Sequence, residues 1–190
     1  MSAAVRSADI IRKYYAAHPQ AWQILLEHSR QVTKRALKIA RQLQKTEPVD
    51  LQFIAEAAML HDVGMIATEA PELGCRGQDP YLCHGIRGRE ILEKEGLPDH
   101  ALVCERHIGI GLTASEIISE NLPLPPRDML PISLEEQIIC YADLFYSKSL
   151  RKNDGEKSVG EVRKAINRYG SAKLKTFDQW LQRFEPDLIG

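Results

Sequence analysis

The chain has no long apolar run; its longest falls far short of the roughly 20 residues that a bilayer demands, so no membrane-spanning segment is expected. It has little net charge either, since 25 basic and 26 acidic residues leave −1 over 190 residues. No overall field then favours nucleic acid or an anionic surface, and any phosphate recognition must come from local placement. Cysteine is sparse: Cys75, Cys83, Cys104 and Cys140 include no CxxC pair. With no apolar secretory segment ahead of them, free thiols and a cytoplasmic location are expected. Cys75 and Cys83 stand just before His84, yet their spacing matches no zinc-ribbon pattern. Aromatic residues make up only 6%, and no extended basic, aromatic-rich surface for nucleic acid is evident. Strand-like alternation is missing as well.

What is present is the composition of a globular protein, 44% hydrophobic and 27% charged, which points to one domain over residues 1–190. Apolar residues recur at intervals of three and four, which predicts helices throughout. A first helix is expected from Ser7 to Ala17, ended by His18-Pro19. A long one follows from Gln20 to Gln44, its apolar face carrying Leu25, Val32, Ala36, Ile39 and Leu43, with His28 on nearly the same stripe. Asp50 caps a third, expected to run through His61 and Asp62 until Gly64 ends it. Residues 67–80, with Pro71, Gly74, Gly77 and Pro80, read as a long loop. Helices then run from near His84 to Gly96 and from Pro98 to His107. A proline-rich stretch around residues 122–131 is extended linker. Ser133 and Glu136 form a capping-box pattern opening a helix through Asp143 and Phe145. Helices over 158–169 and 171–184 finish an all-α bundle of about seven to nine helices, its core at 21–150 with 158–184 packed against it.

Six residues read as a set of metal ligands, His28, His61, Asp62, His84, His107 and Asp143, and four of them, His28, His61, Asp62 and Asp143, interrupt these apolar stripes. An unpaired carboxylate on a buried stripe is costly, and a metal ion removes that cost. Imidazole and carboxylate together suit Fe, Mn or Zn rather than thiol-seeking ions. His18, before a helix-breaking proline, and His100, near a helix start, are expected to be solvated and lie outside the set.

The arrangement resembles the HD superfamily of metal-dependent phosphohydrolases over residues 21–150. The family's early His, His-Asp doublet and later Asp are matched by His28, His61-Asp62 and Asp143, and Leu60-His61-Asp62-Val63-Gly64-Met65 is similar to its HDIG form. His84 and His107 resemble the histidines of the subgroup with a second metal. The resemblance implies a compact HD-domain bundle with one or two divalent ions. His28, His61, Asp62 and Asp143 would hold one, and His84 and His107 the second, with Asp62 bridging. Asp62 and His61 would be central to catalysis, an activated hydroxide attacking phosphorus. His107 is followed by Ile108-Gly109-Ile110 rather than by the second histidine and Gly-Tyr-Pro motif of the cyclic-di-GMP branch, which argues against that substrate.

Lys148, Arg151 and Arg106 are candidates for contacting substrate phosphate, Lys148 and Arg151 because they follow Asp143 by about one and two helical turns. The reading is hydrolysis of a small phosphorylated molecule, a nucleotide or related ester or anhydride, with dinucleoside tetraphosphates as one form of it. The alternatives are a non-hydrolytic HD binding or signalling module and a di-iron oxygenase on the same fold.

Overall fold

The computed structural model describes residues 6–148 and 155–189. Helix α1 (Ser7–Tyr15) leads into α2 (Pro19–Leu43), which starts one residue earlier than the periodicity suggests because Pro19 is itself the first helical residue. Helix α3 (Leu51–Leu60) is opened by Asp50, whose side chain accepts from the Phe53 amide at 2.9 Å. It stops short of the His-Asp doublet, and a 3-10 turn over Val63–Ala67 follows. A short hairpin, β1 (Glu69–Ala70) against β2 (Cys75–Arg76), lies within the segment read as loop. Then come α4 (His84–Lys94), α5 (Pro98–Arg106) and α6 (Ala114–Ser119). Helix α6 was not expected, although the Thr113–Glu116 capping box that starts it is legible in the sequence. Helices α7 (Leu134–Asp143), α8 (Val159–Ile166) and α9 (Ser171–Phe184) complete the described chain.

The long α2 lies against both α3 and α7, and α4 against α5 and the 63–67 turn. The buried side chains fall into two main clusters. One gathers Val32, Ala36 and Ile39 of α2 with Ile138, Ile139 and Phe145, and with Phe177 and Phe184 of α9. The other joins Ile24 and Leu25 of α2 with Tyr15, Leu60, Val63 and Leu92. His28 lies between Leu25 and Val32, so the candidate site sits on the seam where these clusters meet.

Two polar devices fix the frame around that seam. Tyr15, fully buried, donates its hydroxyl to the Val63 carbonyl at 2.9 Å and accepts from the Ile66 amide at 3.1 Å, anchoring the turn that follows the doublet. Arg35, also buried, bonds Glu156 and Glu185 while its guanidinium carbon lies 3.4 Å from the centre of the Phe145 ring. Tyr141 adds a hydroxyl to Glu185 at 3.1 Å, so the end of α9 is tied to α2 and α7 by a buried polar network.

Gly64 does not end α3 as expected. A Cβ there would stand 2.1 Å from both the Gly88 amide nitrogen and the His84 carbonyl, so its absence lets α4 press against the turn. Replacing Gly64 by alanine forces backbones apart rather than a flexible side chain. Gly64→Ala is expected to lower stability by about 3 kcal/mol or more, read from the urea midpoint; an unshifted midpoint would show that the close approach is not needed.

Candidate metal centre

Five different helix ends or faces deliver the six candidate residues. His28 projects from the middle of α2, His61 and Asp62 follow the last turn of α3, His84 begins α4, His107 follows α5, and Asp143 ends α7. The doublet therefore lies just past α3 rather than on it: His61 keeps helical angles, while Asp62 turns to φ −106° and ψ 10°. That change of direction is what lets the two neighbours enter the cluster from different sides.

Three of the imidazoles are held the same way. His61, His84 and His107 each set Nδ1 at 2.7 Å from the carbonyl three residues earlier, of Ala58, Tyr81 and Cys104 respectively. A carbonyl only accepts, so Nδ1 carries the proton and Nε2 is turned inward. The Nε2 atoms of His84 and His107 then stand 3.1 Å apart, and those of His28 and His61 3.3 Å apart.

Asp62 divides its carboxylate between these pairs. Its Oδ2 lies 3.1 Å from His28 Nε2 and 3.2 Å from His61 Nε2, while its Oδ1 lies 3.3 Å from His84 Nε2 and 3.2 Å from His107 Nε2. Asp143 closes the first group with Oδ1 2.9 Å from His28 Nε2. His28, His61, Asp62 and Asp143 form one convergent group and Asp62, His84 and His107 another, the atoms of each within 4.8 Å of one another.

The donor chemistry fits a cation in each group. Both Asp62 oxygens and Asp143 Oδ1 are buried without a hydrogen-bond partner among the described residues, and two inward imidazole lone pairs repel unless positive charge lies between them. The charge balance points the same way. Burial opposes ionisation at Asp62, but His61 and Lys148 outweigh it and hold the carboxyl well below its usual range. Burial also opposes charge on Asp143, where Lys148, His28 and His61 prevail. Burial drives His84 down to about 3, whereas at His61 it is overcome by Asp62 and Asp143, which lift the ring to about 10. The first group thus demands a positive charge, either a proton or a metal. His/carboxylate sets of this kind could hold divalent Fe, Mn or Zn.

Of the predicted phosphate contacts, Lys148 reaches the cluster, its ammonium 3.0 Å from Asp62 Oδ2 and 6.0 Å from the Tyr81 ring centre. It arrives by a turn at residues 144–145 and irregular chain after α7 stops at Asp143, not by the continued helix that the spacing implied. Burial opposes its charge, yet Asp62 and Asp143 raise its pKa above the ordinary lysine value. Arg106 is instead held by Glu136 at 2.9 Å. Arg151 lies outside the described residues. The two histidines set aside as solvated are not so: His18 is half-buried, and His100 is buried against Phe53, 3.3 Å from Glu56. Each remains outside both groups. Tyr81 escaped notice in the sequence. It supplies the carbonyl for His84, stacks its ring on that imidazole at 4.8 Å, and buries a hydroxyl that has no hydrogen-bond partner. Its place three residues before a candidate ligand is the signal that could have found it.

Comparison with known proteins gives a consistent family. The HD domain matches residues 25–147. An uncharacterized protein of Methanocaldococcus jannaschii is 36% identical over 152 residues, which cover 76% of this chain and 82% of that one. Two proteins named tRNA (cytidine(56)-2'-O)-methyltransferase are also similar. That of Thermoplasma volcanium is 31% identical over 144 residues, 75% of this chain and 36% of its own length. That of Picrophilus torridus is 32% identical over 125 residues, 65% of this chain and 32% of its own. The chain thus spans about a third of those methyltransferases. No solved structure matches.

The grouping makes a stoichiometric prediction. Protein reconstituted with Mn or Fe should hold two ions per chain by mass spectrometry of the metal, and His107→Ala should hold one. His100→Ala should keep the wild-type number. Two ions retained in His107→Ala would remove that histidine from the set.

Proposed function

Because the chain belongs to the HD domain family, we propose that it is a metal-dependent phosphohydrolase, cleaving a nucleotide or related phosphate ester or anhydride. The observation that carries this reading is the divided carboxylate of Asp62, one oxygen toward His28 and His61 and the other toward His84 and His107. Paired divalent ions, when bound, supply Lewis acidity and lower the pKa of a water enough for attack at neutral pH.

The remaining work belongs to the protein. Asp62 and the carbonyl-locked imidazoles fix the spacing of the two groups, so the phosphoryl oxygens meet a preformed frame. Lys148 brings a buried ammonium to the side of Asp62, where it would stabilise charge growing on the phosphoryl oxygens. Tyr81 packs His84 in place and offers a hydroxyl with no hydrogen-bond partner among the described residues, its ring centre 6.0 Å from that ammonium. Methyl transfer is no part of this reading, since the methyltransferases that resemble the chain are about three times as long as the matched segment.

Metal-supplemented protein should release phosphate or nucleotide from some member of a panel of nucleotides, dinucleoside polyphosphates and generic phosphoesters, and should do so without oxygen. Turnover that requires oxygen would replace hydrolysis with oxygenase chemistry. Asp62→Ala should fall to background. Lys148→Met should keep its metal and lose about 100-fold in kcat/KM; full activity in that variant would take Lys148 out of the reaction.

A further inference from the structure

The outer face of α2 carries a charge pattern that the metal centre does not use. Between Glu27 and Glu47 the chain has no acidic residue, yet it has six basic ones: Arg30, Lys34, Arg35, Lys38, Arg41 and Lys45. Arg35 is buried and bonded to Glu156 and Glu185. The other five are exposed, and none has an ion-pair or hydrogen-bond partner among the described residues. The two flanking carboxylates are engaged by other residues, Glu27 by Gln31 at 3.1 Å and Glu47 by Arg183 at 2.8 Å.

The spacing lines these cations up. At 3.6 residues per turn, Arg30, Lys34, Lys38 and Arg41 fall within an arc of about 80°, and at 1.5 Å per residue they extend over about 17 Å of the helix. Lys45 continues the line in the turn after α2 ends at Leu43. The buried residues Val32, Ala36 and Ile39 occupy the opposite side, so the strip faces solvent. Like charges one turn apart repel and weaken a helix. The helix dipole offsets that for Arg41, in the last turn, but reaches neither Arg30 nor Lys34 in the middle. A row of mutually repelling cations without counter-charge is a local cost that the fold does not recover, and such costs mark surfaces used for a partner.

The partner's chemistry follows from the same residues. A straight row of cations complements a regular row of anions, and in a chain of net charge −1 this is the local placement that phosphate recognition requires. Residues 28–46 include no Phe, Tyr or Trp, so the bases of a single strand have no ring to stack on. The exposed large apolar side chains, Ile118, Ile132, Tyr169, Leu188 and Ile189, all lie on other segments, so this face has nothing to insert into a lipid surface. What remains is contact with phosphates alone, at the high charge density that a double helix presents.

We propose that the outer face of α2 docks the phosphate backbone of a nucleic-acid double helix without reading its sequence. The strip acts apart from the metal centre, on the far side of α2 from its buried face, and it does not depend on which phosphate that centre cleaves.

The test measures fluorescence anisotropy of two DNA duplexes of about 24 base pairs and unrelated sequence, titrated with the full chain without added metal. Both should bind within threefold of each other, with log K falling against log salt at a slope of about −4. The double variant Lys34→Ala, Lys38→Ala should weaken binding at least tenfold and reduce that slope by about 2. Both positions are exposed and alanine is the stronger helix former, so this variant keeps its fold. Lys94→Ala combined with Lys175→Ala, which removes two exposed cations from α4 and α9, should bind as the wild type does. No binding at about 50 mM salt, a slope that the α2 variant leaves unchanged, or an equal loss in the control variant overturns the proposal. So does tighter binding to phosphatidylserine vesicles or to polyglutamate than to the duplexes, since either outcome assigns the strip to a different kind of partner.

Discussion

Everything around the centre follows from the burial of one carboxylate. Asp62 is fully buried, and neither of its oxygens has a hydrogen-bond partner, although an ionised group so placed loses its hydration. What keeps it charged is the ring of imidazoles and the Lys148 ammonium that converge on it. Those groups come from distant parts of the chain, so the fold has to bring α2, α4, α5 and α7 together at one point. The helical bundle can be understood as the means of surrounding that carboxylate from all sides.

The seam between two apolar clusters is a fitting place for such a centre. Side chains packed at crystal-like density on both flanks leave little freedom to the residues between them. Carbonyl bonds from three preceding residues then settle which nitrogen of each ring faces inward. These are backbone contacts within a single helical turn, so ring orientation is set locally while distances between rings are set by helix packing. Gly64 shows how closely the two depend on each other, because a single methyl group there would meet the helix that carries His84.

The sequence was most legible where a regular period met an unusual residue type. Helices α2, α5 and α9 follow from their apolar spacing and prolines, and the six-residue set stands out because His28, His61, Asp62 and Asp143 break otherwise apolar stripes. Local chemistry misled at ends: α3 lacks the extra turn that would have included the doublet, and α7 gives way to a turn before Lys148. His100 looked like a surface residue beside Asp99, but tertiary packing against Phe53 and Glu56 buries it. Tyr81 was signalled only by its place three residues before His84, because its stacking on that imidazole depends on the turn between them.

One consequence concerns the divided carboxylate. A group that serves two neighbouring binding positions joins them thermodynamically: whatever occupies one position draws on the charge available to the other, and by reciprocity each alters the other's affinity by the same factor. In the proposed two-ion centre, loading is then not two independent equilibria. A half-filled protein is a species in its own right, and scarcity of metal changes the proportion of fully assembled centres more steeply or more gradually than simple saturation, according to the sign of that coupling.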